Sequence, residues 1–505
     1  PGGPISAPSA PPEAPYPELS SQRMFYDELG RLRRTDTKFF RNEGTAQVLL
    51  STDSDAGLPG FAADDPAPAA GDGWVTSLAA YDRLGRATRT VDDNGHVSEI
   101  RYDGQGRKLR VSLNPVAPFV YVPGGIDERN RVENVYDAAG NVIESLETEW
   151  GADRSDPANP GRKLPPQQHR TTFRYDSVNR LVETRFVGRV GFEALNYTTS
   201  VVYDSRGNRI QVTDAAGGRM KSFFDGLNRL LRTESGYFWD GAVESVPPGM
   251  FNLSNPDGKI TTRYGYDANS RLTSIVDDNT RVTSFGYDNL GRQTRITYPD
   301  GTCKQIGYDR DSMATLWELI SYTGARLAVA TRYDPLHRAV RKEVDNGQAP
   351  MFSGTKRQEF EYDGLGRMTR ATDDVDLSDG ILDSEVVLAY DSLGNVISET
   401  QSYQDLSTGL LLQGSNTVTS EHDGTGFRTR VAYPGGRTIG FLPDELNRLD
   451  TLADSYTGST RYDYLGPARV MNRLFPNNTR LTMLSGADDI LVAGYDGARR
   501  AVDFA

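Results

Sequence analysis

One phrase recurs along this 505-residue chain. Tyr81-Asp82-Arg83-Leu84-Gly85-Arg86 returns as Tyr102-Asp103-Gly104-Gln105-Gly106-Arg107, as Tyr287-Asp288-Asn289-Leu290-Gly291-Arg292 and as Tyr362-Asp363-Gly364-Leu365-Gly366-Arg367. Repetition constrains the fold more than composition does. Each copy must be one supersecondary unit that buries itself against the next. The register is regular: 21 residues separate Tyr81 from Tyr102, Tyr203 from Phe224, Tyr266 from Tyr287 and Tyr287 from Tyr308. A glycine stands seven residues before the aromatic at Gly95, Gly217 and Gly301, and Gly436 stands so before the degenerate Pro443.

Two markers at one spacing predict a β-hairpin meander. Asn94-Gly95 and Asp300-Gly301 suit two-residue hairpin turns, whose central residues both take positive φ. The Tyr-Asp-x-x-Gly-Arg element makes the opposite turn: its Asp caps backbone N–H groups and its Gly takes the left-handed conformation. The intervening segments, such as 282–287 and 292–298, are rich in Thr, Val, Ile, Tyr and Arg and read as strands. Residues 312–330 are the best candidate for a helix, although the flanking repeats keep strand register. Some sixteen or seventeen copies, the last at Tyr495-Asp496-Gly497-Ala498-Arg499, imply on the order of thirty strands. An open sheet rarely exceeds about ten strands without curling. The expected fold is all-β, a long antiparallel meander coiled into a hollow spiral shell or tube.

Composition narrows the function. Lys plus Arg is 56 against 69 Asp plus Glu, a net charge of −13. An acidic chain without a basic stripe speaks against nucleic-acid binding. No apolar run is long enough for a membrane-spanning helix. The single cysteine, Cys303, reads as a lone thiol on a strand and excludes an intramolecular disulfide framework. Residues 1–23 are rich in Pro, Ser and Ala and read as a linker or arm; 24–505 form the array. Extra residues near 36–79, 146–170, 236–260, 372–386 and 401–417 read as loop insertions and contact surfaces. The chain starts at Pro1 without a signal peptide, which suggests a processed product or part of a longer polypeptide.

Tyr-Asp repeats with a trailing Gly-Arg at 21-residue spacing after a Gly resemble the rearrangement-hotspot (RHS) or YD-repeat family. The resemblance spans nearly the whole chain from about residue 24. It implies a long sheet spiralled into a hollow shell, as in bacterial toxin carriers, insecticidal toxin complexes and animal teneurins. Toxin carriers of the family close with a core segment containing a self-cleaving aspartate. That segment is missing before Ala505, so no autoproteolytic residue carries over. The strand at 292–298 carries polar residues on both parities, which suits a wall wetted on both sides.

Candidate sites are few. The repeated Tyr81, Asp82, Gly85, Arg86, Tyr102, Asp103, Gly106, Arg107, Tyr287, Asp288, Gly291, Arg292, Tyr362, Asp363, Gly366 and Arg367 read as structural turns, since catalysis does not need one pair many times over. Asp92-Asp93, Asp277-Asp278 and Asp373-Asp374 read as solvated turn carboxylates. Asp374, Asp376, Asp379 and Asp383 are a weak calcium candidate, because the sixth loop position is Asp379 rather than Gly. Trp150, Trp239 and Trp317 fall in or near insertions, and Trp150 and Trp239 are the candidate loop contacts. His169 and His337 are isolated, without zinc-ligand spacing. No catalytic residue and no cofactor is expected. The leading expectation is a non-enzymatic, secreted or surface-displayed scaffold that encloses and delivers a C-terminal toxin or cargo domain. Alternatives are an adhesion or fibre-forming protein that binds glycans or neighbouring subunits, and part of an autoproteolytic toxin precursor.

Overall fold

The computed structural model describes residues 18–482 except 44–45, 51–72, 116–128, 154–161, 164–165, 190–196, 240–243, 246–258, 346–353, 376, 378–381, 405–410 and 445. The N-terminal arm up to residue 17 and the last repeat phrase at Tyr495 lie outside those residues. Among the described residues there is no helix. The helix candidate at 312–330 is two strands, Ala314–Ile320 and Arg326–Tyr333, joined by a turn. Trp317 therefore lies in a strand and not in an insertion.

Nearly all strands join one 34-stranded sheet. Each pairs antiparallel with the strand before and the strand after; Glu244–Ser245 adds a two-residue spur to Leu230–Trp239. Separate small hairpins form at Phe40–Glu43 with Ala46–Leu49 and at Ala152–Asp153 with Arg162–Lys163. The region read as an insertion at 401–417 is largely strand, within Val396–Gln404 and Leu411–His422.

The two rims of this sheet differ. Every Tyr-Asp turn lies on one, hereafter the turn rim. The glycine turns and the longer connections lie on the other, the loop rim. The reason is parity: in a meander, alternate connections emerge on the same side. Both rims use one backbone turn. Gly85 N–H donates to Asp82 O at 3.0 Å, and Gly95 N–H to Asp92 O at 2.9 Å. Gly85 and Gly95 have φ of 80° and 76°. Asn94 and Asp300 are not among the positive-φ residues. The expectation of two positive-φ residues per glycine turn is thus corrected. These are three-residue loops, a turn closed by one left-handed residue.

What separates the rims is a bulge. All sixteen described Tyr-Asp hairpins shift register by one residue at the aromatic position, as at Arg101/Tyr102 and Gly286/Tyr287. The eight tight hairpins of the loop rim keep their register. A bulge bends its strand and increases twist. Repeated on one rim only, it coils the sheet.

The coil returns on itself. Phe40 N–H donates to Ser392 Oγ at 3.0 Å, and Ser392 N–H to Phe40 O at 2.8 Å. Asn94 Nδ2 reaches Asp423 Oδ2 at 3.0 Å. Gly466 N–H donates to Trp150 O at 3.0 Å, beside a bridge from Gly151 to Leu465. In each case the loop rim of the first winding sits on the turn rim of the second. About 23 strands of the ladder separate the partners, so at about 4.8 Å per strand one winding measures about 110 Å round and about 35 Å across. Side chains would narrow this to a lumen about 25 Å wide, given about 10 Å for a sheet and its side chains.

Buried apolar side chains are few among the described residues, and Phe40 and Leu465 belong to the seam between windings. Elsewhere the wall is held by cross-strand polar pairs. Arg341 pairs with Glu359 at 2.5 Å and Arg370 with Glu361 at 2.9 Å on one face. On the other, Lys342 lies over the Phe360 ring. Such pairs each add about 0.2–1 kcal/mol, and many of them replace a core.

The seam makes glycine positions unequal. A Cβ at Gly151 would stand 2.8 Å from Tyr464 O, whereas at Gly104 nothing lies within 4 Å. Gly151→Ala is expected to cost about 1–3 kcal/mol by forcing the windings apart. Gly104→Ala should leave stability within about 0.5 kcal/mol. Chemical denaturation of the two variants checks this, and equal midpoints would contradict the seam.

Candidate functional site

The turn rim is a chain of repeated clips. In Tyr81-Asp82-Arg83-Leu84-Gly85-Arg86 the Asp82 Oδ1 accepts N–H bonds from Leu84 at 2.9 Å and Arg86 at 3.0 Å. Its Oδ2 accepts Arg86 Nε at 2.7 Å. One carboxylate thereby satisfies two turn amides and a guanidinium. The same Arg86 reaches the next turn, donating from Nη1 to Asp103 O at 3.2 Å. It also lies 4.5 Å from the Tyr102 ring centroid. Tyr102 hydroxyl donates back to Ala87 O at 2.8 Å. The clips at Tyr287, Asp288, Gly291 and Arg292 and at Tyr362, Asp363, Gly366 and Arg367 repeat this pattern, with Arg292 on Asp309 O at 3.1 Å and Arg367 on Asp391 O at 2.8 Å. Tyr, Asp, Gly and Arg thus form a ladder that runs from hairpin to hairpin.

Several copies substitute for Arg. Asn141 and Asn208 bond Asp137 and Asp204 and then the Asn side chains of the next turn, Asn179 and Asn228, at 3.0 Å. Asparagine is the shorter donor that still bridges, and an Asn at the sixth position of the phrase was the available signal. Met313 and Phe427 have no such donor; there the Asp still accepts the turn amides. Where Gly is absent, Asn179, Asn228, Ser270, Ser312 and His337 take positive φ instead. On the loop rim His96 replaces Arg, with Nδ1 2.8 Å from Asp92 Oδ2. That bond raises the His96 pKa, and burial opposes it.

The clip lowers the carboxyl pKa. At Asp27, Asp82, Asp103, Asp176, Asp225, Asp267 and Asp334 the largest cause is the N–H bond from the residue four positions on; the guanidinium adds to it. At Asp288 and Asp363 desolvation is the largest influence and opposes the shift, yet the pKa remains lowered. These carboxylates are held ionised by structure and are unsuited to proton transfer near neutrality. Tyr464, in the seam, is pushed up to about 12 by burial.

The other candidate residues are scattered. Asp93 is buried, with Oδ1 accepting Thr76 N–H at 2.8 Å, and Asp278 accepts Thr261 N–H likewise. Asp93 is therefore not a solvated turn residue: it caps the adjacent strand. Of the calcium candidates, Asp376 and Asp379 lie outside the described residues. Asp374 is buried at a strand end and Asp383 accepts Val375 N–H. Among the described residues no three His, Cys, Asp or Glu side chains group to hold a metal. Trp150 is half-buried at the seam, its N–H on Asn130 Oδ1 at 2.8 Å. It is not an exposed ring platform. Trp239 ends the strand Leu230–Trp239, and its side chain lies outside the description. Cys303 is a buried free thiol on a strand.

Sequence reasoning missed the seam. Glu149, Gln167 and His169 are buried there, and His169 Nε2 lies 3.2 Å from both Glu149 Oε2 and Arg469 Nη2. Arg469 is 300 positions from His169, and no local pattern links them.

Two outcomes are expected. A carboxylate whose folded pKa is depressed contributes stability above its unfolded value of about 3.9 and loses it as pH falls through the folded value. The melting temperature should therefore hold from neutrality to about pH 4 and fall steeply below it. A flat profile down to pH 2 would remove the clips from the stability argument. Arg367→Ala should lower the free energy of local opening at the Asp363 and Asp391 turns by about 1–3 kcal/mol, read by amide exchange. Arg367→Lys should recover less than half, since an ammonium cannot fork.

Residues 266–302 match the family model described as RHS Repeat. No curated protein matches the chain. Among solved structures, a crystal structure of TcdB2-TccC3-TEV is similar at 13% identity and TM-score 0.35, covering 92% of this chain and 31% of that one. A Photorhabdus luminescens Tc holotoxin pore is similar at 14% identity and TM-score 0.39, covering 91% and 30%. The chain thus spans about a third of the length of the structures it matches. The segment that matches the RHS Repeat model holds two clips, Asp267 with Arg271 and Asp288 with Arg292, and the same clip geometry recurs along the turn rim.

Proposed function

We propose that this chain is the wall of a shell that encloses a cargo polypeptide. The observation that carries the reading is the seam. Contacts such as Phe40 with Ser392 and Trp150 with Gly466 hold one winding of the spiral on the next. A sheet held rim to rim needs no filled core, so the space inside is available. A lumen about 25 Å wide admits an unfolded or small folded chain, since a helix with its side chains is about 10–12 Å across. The clip carboxylates and the seam network act structurally, and the reading is accordingly a scaffold without catalysis. The proteins it is similar to are toxin-complex components, which suits a secreted role and partners that are cargo or neighbouring subunits.

The test has two parts. Electron microscopy of the isolated chain is expected to show ring-shaped projections with a central hole; a solid particle contradicts the shell. An unstructured polypeptide fused after Ala505 should then resist a protease that digests the same polypeptide alone. Digestion of both at one rate, with the wall intact, contradicts enclosure while leaving the shell standing.

A further inference from the structure

On the first winding the turn rim carries exposed apolar side chains that the described seam does not cover. The second residue after each turn aspartate stands at the tip of the rim. Leu84, Leu227, Leu290 and Leu336 occupy that position on the first winding, between 69% and 75% exposed. They share one rim because every Tyr-Asp turn does.

On the second winding the same position is covered. Leu393 and Leu446 are half-buried. Their cover is the loop rim of the first winding, which meets this rim at Phe40 and Asn94. The fold itself therefore shows what seats on a leucine-tipped turn rim: the loop rim of another winding. The rest of that loop rim, past the seam, carries Tyr322 and Tyr456 at 77% and 67% exposed. Among the described residues one chain thus holds both halves of the contact, each left uncovered by the described seam over about one winding, or about 23 strands at the ladder spacing.

We propose that the leucine-tipped turn rim of one chain seats the loop rim of a second copy, so that chains stack along the spiral axis. The contact joins unlike surfaces. It is heterologous, does not close at a dimer, and propagates. The inference does not depend on cargo in the lumen.

Mass measurement of the full chain from nanomolar to high micromolar concentration tests it. The mass is expected to rise in steps of one chain, with elongated stacks under the electron microscope. Leu84→Glu, Leu290→Glu and Leu336→Glu together should weaken stacking at least tenfold. The far-ultraviolet circular dichroism should not change, since these side chains are exposed. Tyr322→Glu with Tyr456→Glu should do the same from the other rim. A mixture of the two variants should stop at dimers, because each keeps one good rim. A chain that stays monomeric throughout, a closed dimer that grows no further, or stacks indifferent to both variants would overturn the proposal.

Discussion

One carboxylate per hairpin holds this structure together. A three-residue turn leaves amides pointing into a small space, and a buried or half-buried amide needs an acceptor. The turn aspartate meets two of them with one oxygen and offers the other to a guanidinium, as Asp82 does for Arg86. Only arginine has a planar fork long enough to take the carboxylate and still reach the next carbonyl and the next ring. Each clip is therefore also a link. Weak pairs become a ladder, and the ladder substitutes for the hydrophobic core that a chain of this length would otherwise need.

Curvature follows from the asymmetry of the same turn. The bulge beside each tyrosine adds one residue on the turn rim, as at Ala80/Tyr81, and the tight hairpins opposite add none. A flat ribbon of so many strands would expose two long edges to aggregation. Coiling brings one edge onto the other. There the molecule buries side chains from both windings: Phe40 and Ser392 at one end of the seam, Glu149 and His169 against Arg469 at the other. Buried charge is tolerated at that contact because each group meets a partner across the windings.

Much of this was legible in the sequence. The period of 21 and the paired markers set strand, turn and turn again from Tyr81 to Tyr308. The clip members were named by their recurrence. The stretch 312–330 invited a helix through its Met, Leu and Ala, but the ladder on either side supplied partners for strands, and tertiary pairing outweighed propensity. The glycine turns were misjudged because a dipeptide such as Asn94-Gly95 suits two turn types, and the loop length between paired strands selects between them. Asp93 looked solvated because its burial depends on a strand elsewhere in the chain, at Thr76.

The sequence by itself determined the repeat, the clip and the all-β meander, because those rest on residues within a few positions of one another. Only the tertiary structure decided how tightly the meander coils and which residues meet when it returns. Gly151 against Tyr464, or Arg469 against His169, is a consequence of small bends summed over about 23 strands at the ladder spacing. No single repeat encodes that sum, so no local pattern could announce it.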